Sequence, residues 1–380
     1  MSGKEAPRSE GLVGVALRPT GKATPSRSRV LNKALVLRTL FHNGPLTRAG
    51  LARRTGLTRV SISDLVAGLI EEGLIEELGT LVKGRTGKPG NLVGLDIDRH
   101  AIVAIDLSNT ETARGRLVNL KGEPLQERSR AIGQVTGEAA LTTVQRLVED
   151  LIALAKTPLI GVGIASPGVV TPEGTVEFAT DFAWQHLPLA QRLTQATGLP
   201  CHAGNDANLR ALAEFTFGGA SSDGLMVITI ERGLGAGILL DGVLLQGRSF
   251  AAGEIGHLSA MVGGERCICG RYGCLETVLA KPALQRLGPG AAAPSLTAVG
   301  EAAAVVLAPI ASALNLTDLV FCDPSELVTP PLLDAIGQAI AARVLPAISA
   351  DLSIRISPLG GQSALLGATA LVLSEELGIT

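Results

Sequence analysis

Apolar positions recur at helical spacing in three consecutive stretches near the N-terminus. Val30, Leu31, Leu35, Leu37, Leu40 and Phe41 predict a first helix from Arg29, stopped by Asn43-Gly44-Pro45. Thr47 is placed to cap a second helix that runs to Thr55, and Gly56 supplies a tight turn. Thr58 caps a third helix, from Arg59 to about Glu72, whose apolar stripe is Ile62, Leu65, Val66, Leu69 and Ile70; Gly73 ends it. From 74 to 93 the pattern shortens into β-prone pieces around Gly84-Arg85-Thr86-Gly87-Lys88-Pro89-Gly90, a basic, turn-rich loop. Beyond it the pattern predicts strands at 102–107, 115–120, 159–165, 225–230 and 235–240, with helices at 137–156 and 297–313. Strands alternating with helices predict an α/β fold. The alternation falls into two halves, near 92–200 and 200–380, as two similar lobes would.

Composition sharpens this outline. Apolar residues make up 46% of 380, which excludes global disorder and supplies two or three cores. Aromatics are only 2%, so Leu, Ala and Val do the packing. The net charge of −2 hides a split: residues 1–90 carry 15 Lys/Arg against 7 Asp/Glu, a net of +8, and the remainder is −10. Such asymmetry predicts an anion-binding N-terminus, with nucleic acid the obvious anion. Residues 1–28 mix Arg and Lys with Pro, Ser and Gly and are expected to form a disordered basic tail. They hold no apolar run of the signal-peptide kind, and no uninterrupted 18-residue apolar span follows. The expectation is a cytoplasmic protein without a membrane partner.

The second and third helices with their Gly turn make a helix-turn-helix over about 29–91, the basic loop serving as its wing. One helix braces on the DNA backbone while the next lies in the major groove. Thr58, Arg59, Ser61 and Ser63 are expected to face the bases, away from the apolar stripe. Arg59 alone among them reaches guanine with two hydrogen bonds. Arg85 and Lys88, with Lys83, are expected to touch phosphate or the minor groove.

Five cysteines are too few for a disulfide framework, yet three fall within eight residues: Cys267, Cys269 and Cys274, with His257 ten residues upstream. Three thiolates and one imidazole make a closed tetrahedral set for Zn²⁺, with no open ligand position, so the metal is expected to be structural. Gly270 and Gly273 let the chain curl tightly around it.

At these residues the chain resembles the ROK family of sugar-responsive repressors and sugar kinases. Gly253-Glu254-Ile255-Gly256-His257, the cysteine cluster and Leu275-Glu276 carry its signature. Gly163-Ile164-Ala165-Ser166-Pro167-Gly168, Asn205-Asp206-Ala207-Asn208 and Gly233-Leu234-Gly235-Ala236-Gly237 match further family elements. The resemblance covers about 92–380 and implies an actin-like or hexokinase-like fold of two α/β lobes with sugar in the cleft. It maps Asn205, Asp206, Glu254, His257 and Glu276 onto the positions that bind sugar hydroxyls, His257 holding zinc through one ring nitrogen and sugar through the other.

Asp206 also matches the base that deprotonates the attacking hydroxyl in the family's kinases. The nucleotide elements, however, are altered. The family's Asp-x-Gly-Gly-Thr is here Asp106-Leu107-Ser108-Asn109-Thr110, so side chains stand where backbone amides should approach phosphate. The second loop begins with Glu231-Arg232 in place of Gly-Thr, and Cys322-Asp323-Pro324 replaces a Gly-Gly turn. The combination predicts sensing without catalysis. The expectation is a DNA-binding repressor of an operator, responsive to a sugar or sugar phosphate, acting as a homodimer or higher homo-oligomer. Two rivals stand beside it: a hexose kinase using ATP that also binds DNA, and a regulator whose cleft answers to a protein partner.

Overall fold

The computed structural model describes residues 25–80, 91–220, 223–288 and 290–379. They divide into two compact units at His100–Ala101, and Leu373–Ile379 groups with the first.

In the first unit, α1 (Pro25–Asn43) is followed by β1 (Leu46–Thr47), α2 (Arg48–Thr55), α3 (Arg59–Glu71), β2 (Ile75–Thr80) and β3 (Asn91–Leu95). The expected caps form. The Thr47 hydroxyl accepts the Gly50 amide, the Thr58 hydroxyl accepts the Ser61 amide, and Gly56 closes α2 at φ 72°. The strands make an antiparallel sheet in the order β1-β3-β2. Val36, Leu37, Leu40, Leu51, Ile62, Val66 and Val93 are fully or nearly fully buried among them. One expectation needs correcting: residues 25–28, read as the end of a disordered tail, already belong to α1. Pro25 opens the helix, where proline's missing N–H is no loss. Residues 1–24 lie outside the described residues.

The second unit repeats one plan twice. Its first half contains β4 (Ala101–Asp106), β5 (Thr112–Val118), β6 (Pro124–Ala131), α4 (Gly137–Leu154), β7 (Leu159–Ser166), β8 (Val169–Val170), β9 (Val176–Ala179), β10 (Trp184–Leu187), α5 (Leu189–Thr197) and β11 (Cys201–Asn205). Helix α6 (Asp206–Thr216) leads into the second half. That half contains β12 (Leu225–Ile230), β13 (Leu234–Leu240), β14 (Val243–Leu244), α7 (Glu276–Leu279), α8 (Lys281–Leu287), α9 (Ala293–Leu314), β15 (Asp318–Cys322), α10 (Pro330–Ala341), α11 (Pro346–Asp351), β16 (Ser353–Ile356) and α12 (Ser363–Leu377).

The first large sheet has the order β6-β5-β4-β7-β11 and the second β14-β13-β12-β15-β16. In each, an antiparallel meander precedes two parallel strands. The central strands β4 and β12 are buried at every residue, as expected of strands covered on both faces. Helix α4 seals the first sheet with Ala140, Leu141, Val144, Leu147, Val148 and Leu151. Helix α9 is long and apolar enough, by composition, to cross a membrane. It instead packs in the second core, where a β-carbon on Gly300 would meet the Ala335 backbone at 2.7 Å. A small third sheet, β10-β9-β8, adds Val170, Val176, Ala179 and Trp184 to the core of the first half.

Candidate functional site

Helix α3 turns Ile62, Leu65, Val66 and Leu69 inward and leaves Arg59, Val60, Ser63, Asp64 and Ala67 exposed. Of the four residues expected to read bases, three have engaged hydroxyls. Thr58 Oγ1 lies 2.9 Å from Ser61 Oγ besides accepting the Ser61 amide at 3.1 Å, and Ser63 Oγ donates to the Arg59 carbonyl at 3.0 Å. The Arg59 guanidinium has no partner among the described residues, and neither does that of Arg53 on α2. Arg48 is held by Glu77 at 2.7 Å and Arg54 by Asn43. The wing residues Arg85 and Lys88 lie outside the described residues.

The residues expected to meet a sugar are organised around β13. Asn205 ends β11 and caps α6, its Oδ1 accepting the Asn208 amide at 3.0 Å and its Nδ2 donating to the Gly168 carbonyl at 2.8 Å. Asp206 is the first residue of α6, its Oδ1 3.3 Å from Asn205 Nδ2. The start of α6 presses on β13: a β-carbon on Gly237 would stand 2.5 Å from the Ala207 carbonyl oxygen. The segment carrying Glu254 and His257 also presses on β13. The carbonyl of Gly253, a residue at φ 96°, accepts the Ala236 amide at 2.9 Å, and any β-carbon there would sit 1.9 Å from the Ala236 oxygen. Only glycine fits such an approach with that φ. Glu276 opens α7, and its Oε2 accepts the Leu234 amide at 3.3 Å. The five residues expected to meet a sugar are therefore carried by segments that share β13 as their support. Burial pushes the Asp206 carboxyl up to about 6; the charges of Asp106 and Glu231 add to this, and Arg210 opposes it.

Beside Glu276 the cysteines gather. His257, Cys267, Cys269 and Cys274 bring their ligand atoms within 4.8 Å of one another. Cys267 Sγ is 3.6 Å from His257 Nδ1 and 3.3 Å from Glu276 Oε1, and Cys269 Sγ is 3.7 Å from Cys274 Sγ. Two sulfurs on one tetrahedral zinc at about 2.3 Å stand about 3.8 Å apart, so the set fits such an ion. The loop curls at Gly270 (φ 88°) and Gly273 (φ 70°). This group can hold a metal through three thiolates and one imidazole.

Where the altered phosphate loops meet, the chain fills the space with its own charges. Ser108 donates through N and Oγ to Asp106, at 2.9 and 2.6 Å, and Asn109 Oδ1 accepts the Glu111 amide at 2.8 Å. Arg210, which the sequence reading passed over, lies 1% exposed between the two sheets. It donates to Ser108 Oγ at 3.0 Å, Glu231 Oε1 at 2.9 Å and Ser363 Oγ at 2.7 Å. Arg114 completes the group, 2.5 Å from Asp106. Burial pushes the Asp106 carboxyl up, but Arg210, Arg114 and the Ser108 bonds outweigh it and hold it below the ordinary range. Burial lifts Glu231, with Arg210 opposing. Arg232, from the same turn, pairs with Asp181 of the other half. A usable signal was present, because the only charges of α6 are Asp206, Arg210 and Glu214, four residues apart and so on one stripe.

Comparison with known proteins follows this division. Residues 102–290 match the ROK family and residues 30–83 the MarR family. Over 262 residues the chain is 35% identical to the xylose repressor of Caldicellulosiruptor bescii, a match covering 67% of this chain and 65% of that repressor. Among solved structures, a ROK family transcriptional regulator, homologue of the Escherichia coli MLC protein, superposes with a TM-score of 0.80 at 25% identity, covering 93% of this chain and 98% of that one. A ROK family glucokinase from Streptomyces griseus, in complex with glucose and AMPPNP, superposes at 0.60 and 25% identity, covering 71% of this chain and 98% of the glucokinase.

Proposed function

The chain carries a ROK family domain behind a MarR-type winged helix, and from that premise we propose a sugar-responsive transcriptional repressor that does not phosphorylate its sugar. One observation carries the reading: the segments bearing Asn205, Asp206, Glu254, His257 and Glu276 are supported on β13, while Arg210 is hydrogen-bonded to Ser108 and Glu231, residues of the two loops that the family resemblance assigns to phosphate. Phosphoryl transfer requires a bed for the phosphates and their metal ion. An anion brought here would meet Asp106 and Glu231 and would have to displace a buried guanidinium. The relative named a xylose repressor and the neighbour named a transcriptional regulator support this reading.

In this reading Asn205, Asp206, Glu254, His257 and Glu276 bind a monosaccharide or its phosphate. Asp206 acts as a hydrogen-bond acceptor rather than a base. His257 and the thiolates of Cys267, Cys269 and Cys274 would hold a zinc ion, which would fix the imidazole and leave its other ring nitrogen for a sugar hydroxyl. The protein works in the cytoplasm as a homodimer, two winged helices on a two-fold operator. Effector binding favours one closure state of the cleft by a few kcal/mol, which sets DNA occupancy.

Mobility-shift assays on operator DNA, with and without a panel of monosaccharides and their phosphates, test the reading. At least one sugar is expected to change the bound fraction, and indifference to all of them would refute it. A coupled ADP-release assay with hexoses and ATP tests the kinase rival; turnover above the uncatalysed rate would establish it.

Two further results are expected. Arg59→Ala weakens operator binding by about 1–3 kcal/mol and relaxes base preference at one position, with sugar binding unchanged. An unaltered preference in a randomised-site competition would remove Arg59 from the reading face. The second concerns pH. A carboxyl whose folded value is raised stabilises the fold most below the ordinary aspartate range and loses that contribution as pH rises through about 6. Sugar binding runs the other way, because accepting a hydroxyl requires the ionised form. Affinity for the responding sugar is expected to fall about tenfold from pH 7.5 to pH 5. Asp206→Asn should flatten this profile; calorimetry that leaves the profile intact in the variant would assign the pH dependence elsewhere.

A further inference from the structure

The exposed line of α3 contains one residue whose place its own helix does not explain. Val60 is 72% exposed in the first turn of the helix expected to enter the major groove, while the apolar stripe of that helix runs along another face through Ile62, Leu65, Val66 and Leu69. A β-branched residue is a mediocre helix former, so local propensity does not account for it either. Its polar neighbours are occupied: Thr58 and Ser61 share their hydroxyls, and Ser63 donates to the Arg59 carbonyl. What α3 offers outward is therefore the Arg59 guanidinium and Val60 side chain in its first turn, then the Asp64 carboxylate, the Ala67 methyl and, at its far end, the Glu71 carboxylate.

The only apolar mark on the major-groove edges of the bases is the C5-methyl of thymine. The unpaired cations Arg53 and Arg59 on α2 and α3 give the face the charge that a phosphate backbone complements. Resting on the DNA-binding reading above, we propose that Val60 is a specificity-determining residue that packs on a thymine methyl in each half-site. Base choice by this protein then comes from one guanidinium and one apolar contact rather than from the serine and threonine hydroxyls.

The test begins with selection of binding sequences from a random duplex library by the full-length chain. Each thymine of the enriched sequence is then replaced singly by uracil, which pairs identically and lacks only the methyl. Burying one methyl changes affinity by about three- to fivefold, so one thymine per half-site is expected to show a loss of that size on replacement. In Val60→Ala the same replacement should have no effect, and a library selected by that variant should lose thymine at that position while keeping its other preferences. Wild-type binding indifferent to uracil at every position overturns the proposal, and so does a Val60→Ala protein that remains as sensitive to uracil as the wild type. Failure to enrich any sequence would sink the DNA-binding reading, and the proposal with it. Enrichment without methyl sensitivity sinks the proposal alone.

Discussion

Arg210→Met is expected to destabilise the second unit by about 3–5 kcal/mol, because it leaves the buried Asp106 and the half-buried Glu231 without their shared counter-charge. In a domain of this size that corresponds to a fall in melting temperature of about 6–20 °C. The wild-type network does not owe this value to net attraction, since removing two buried charges together can be neutral. The informative comparison is therefore the double variant Arg210→Met with Glu231→Met, which should recover a large part of the loss. Calorimetric unfolding of the wild type, both singles and the double gives the coupling directly. A single Arg210 variant that melts with the wild type would mean that the arginine is dispensable where the two sheets meet. The proposed exclusion of nucleotide would then need another cause.

The second large effect concerns the metal group. Wild-type protein is expected to contain one zinc per chain, and Cys267→Ser to contain none after exchange against a mild chelator. Losing a ligand should exceed the roughly 10–100-fold weakening that follows loss of an outer supporting partner. The choice of Cys267 matters, because its Sγ also touches Glu276 Oε1, a member of the sugar set, at 3.3 Å. The same variant should therefore weaken sugar binding as well, while DNA binding in the absence of sugar persists. Unchanged zinc content by elemental analysis would refute the ligand assignment. Lost zinc with untouched sugar affinity would separate the metal from the cleft.

The local signals in the sequence were strong where one residue type has one physical role. Thr47, Gly56 and Thr58 mark helix ends through caps and a left-handed turn, and all three stand where expected. Strand β12 was predicted at its observed limits because a fully buried strand reads as a continuous apolar run. The cysteine spacing announced a cluster that the fold does assemble. Much of the second unit was less legible. Strand β6 is exposed at nearly every position and shows no alternation, and the small sheet β8–β10 is built from two- and four-residue strands that leave no period to detect. The duplication of the two sheets was visible only as a coarse alternation, because it lies in strand order and sense rather than in residue identity. Arg210 escaped for a related reason. A lone arginine among Ala and Leu looks solvent-facing until tertiary structure brings Ser108, Glu231 and Ser363 around it from three distant segments.

The crowding of β13 by Gly237 and Gly253 bears on how such a receptor can acquire a new effector. Enlarging Gly237 would drive its side chain into the Ala207 backbone beside Asp206, and enlarging Gly253 would drive its side chain into the Ala236 backbone beside the Glu254 segment. Evolutionary retuning by size is thus barred at these two glycines. Under the proposed sugar-sensing role, variation in ligand preference is expected instead at exposed side chains such as Phe178 on β9 and Asp181 in the turn after it, which change without disturbing a packed backbone.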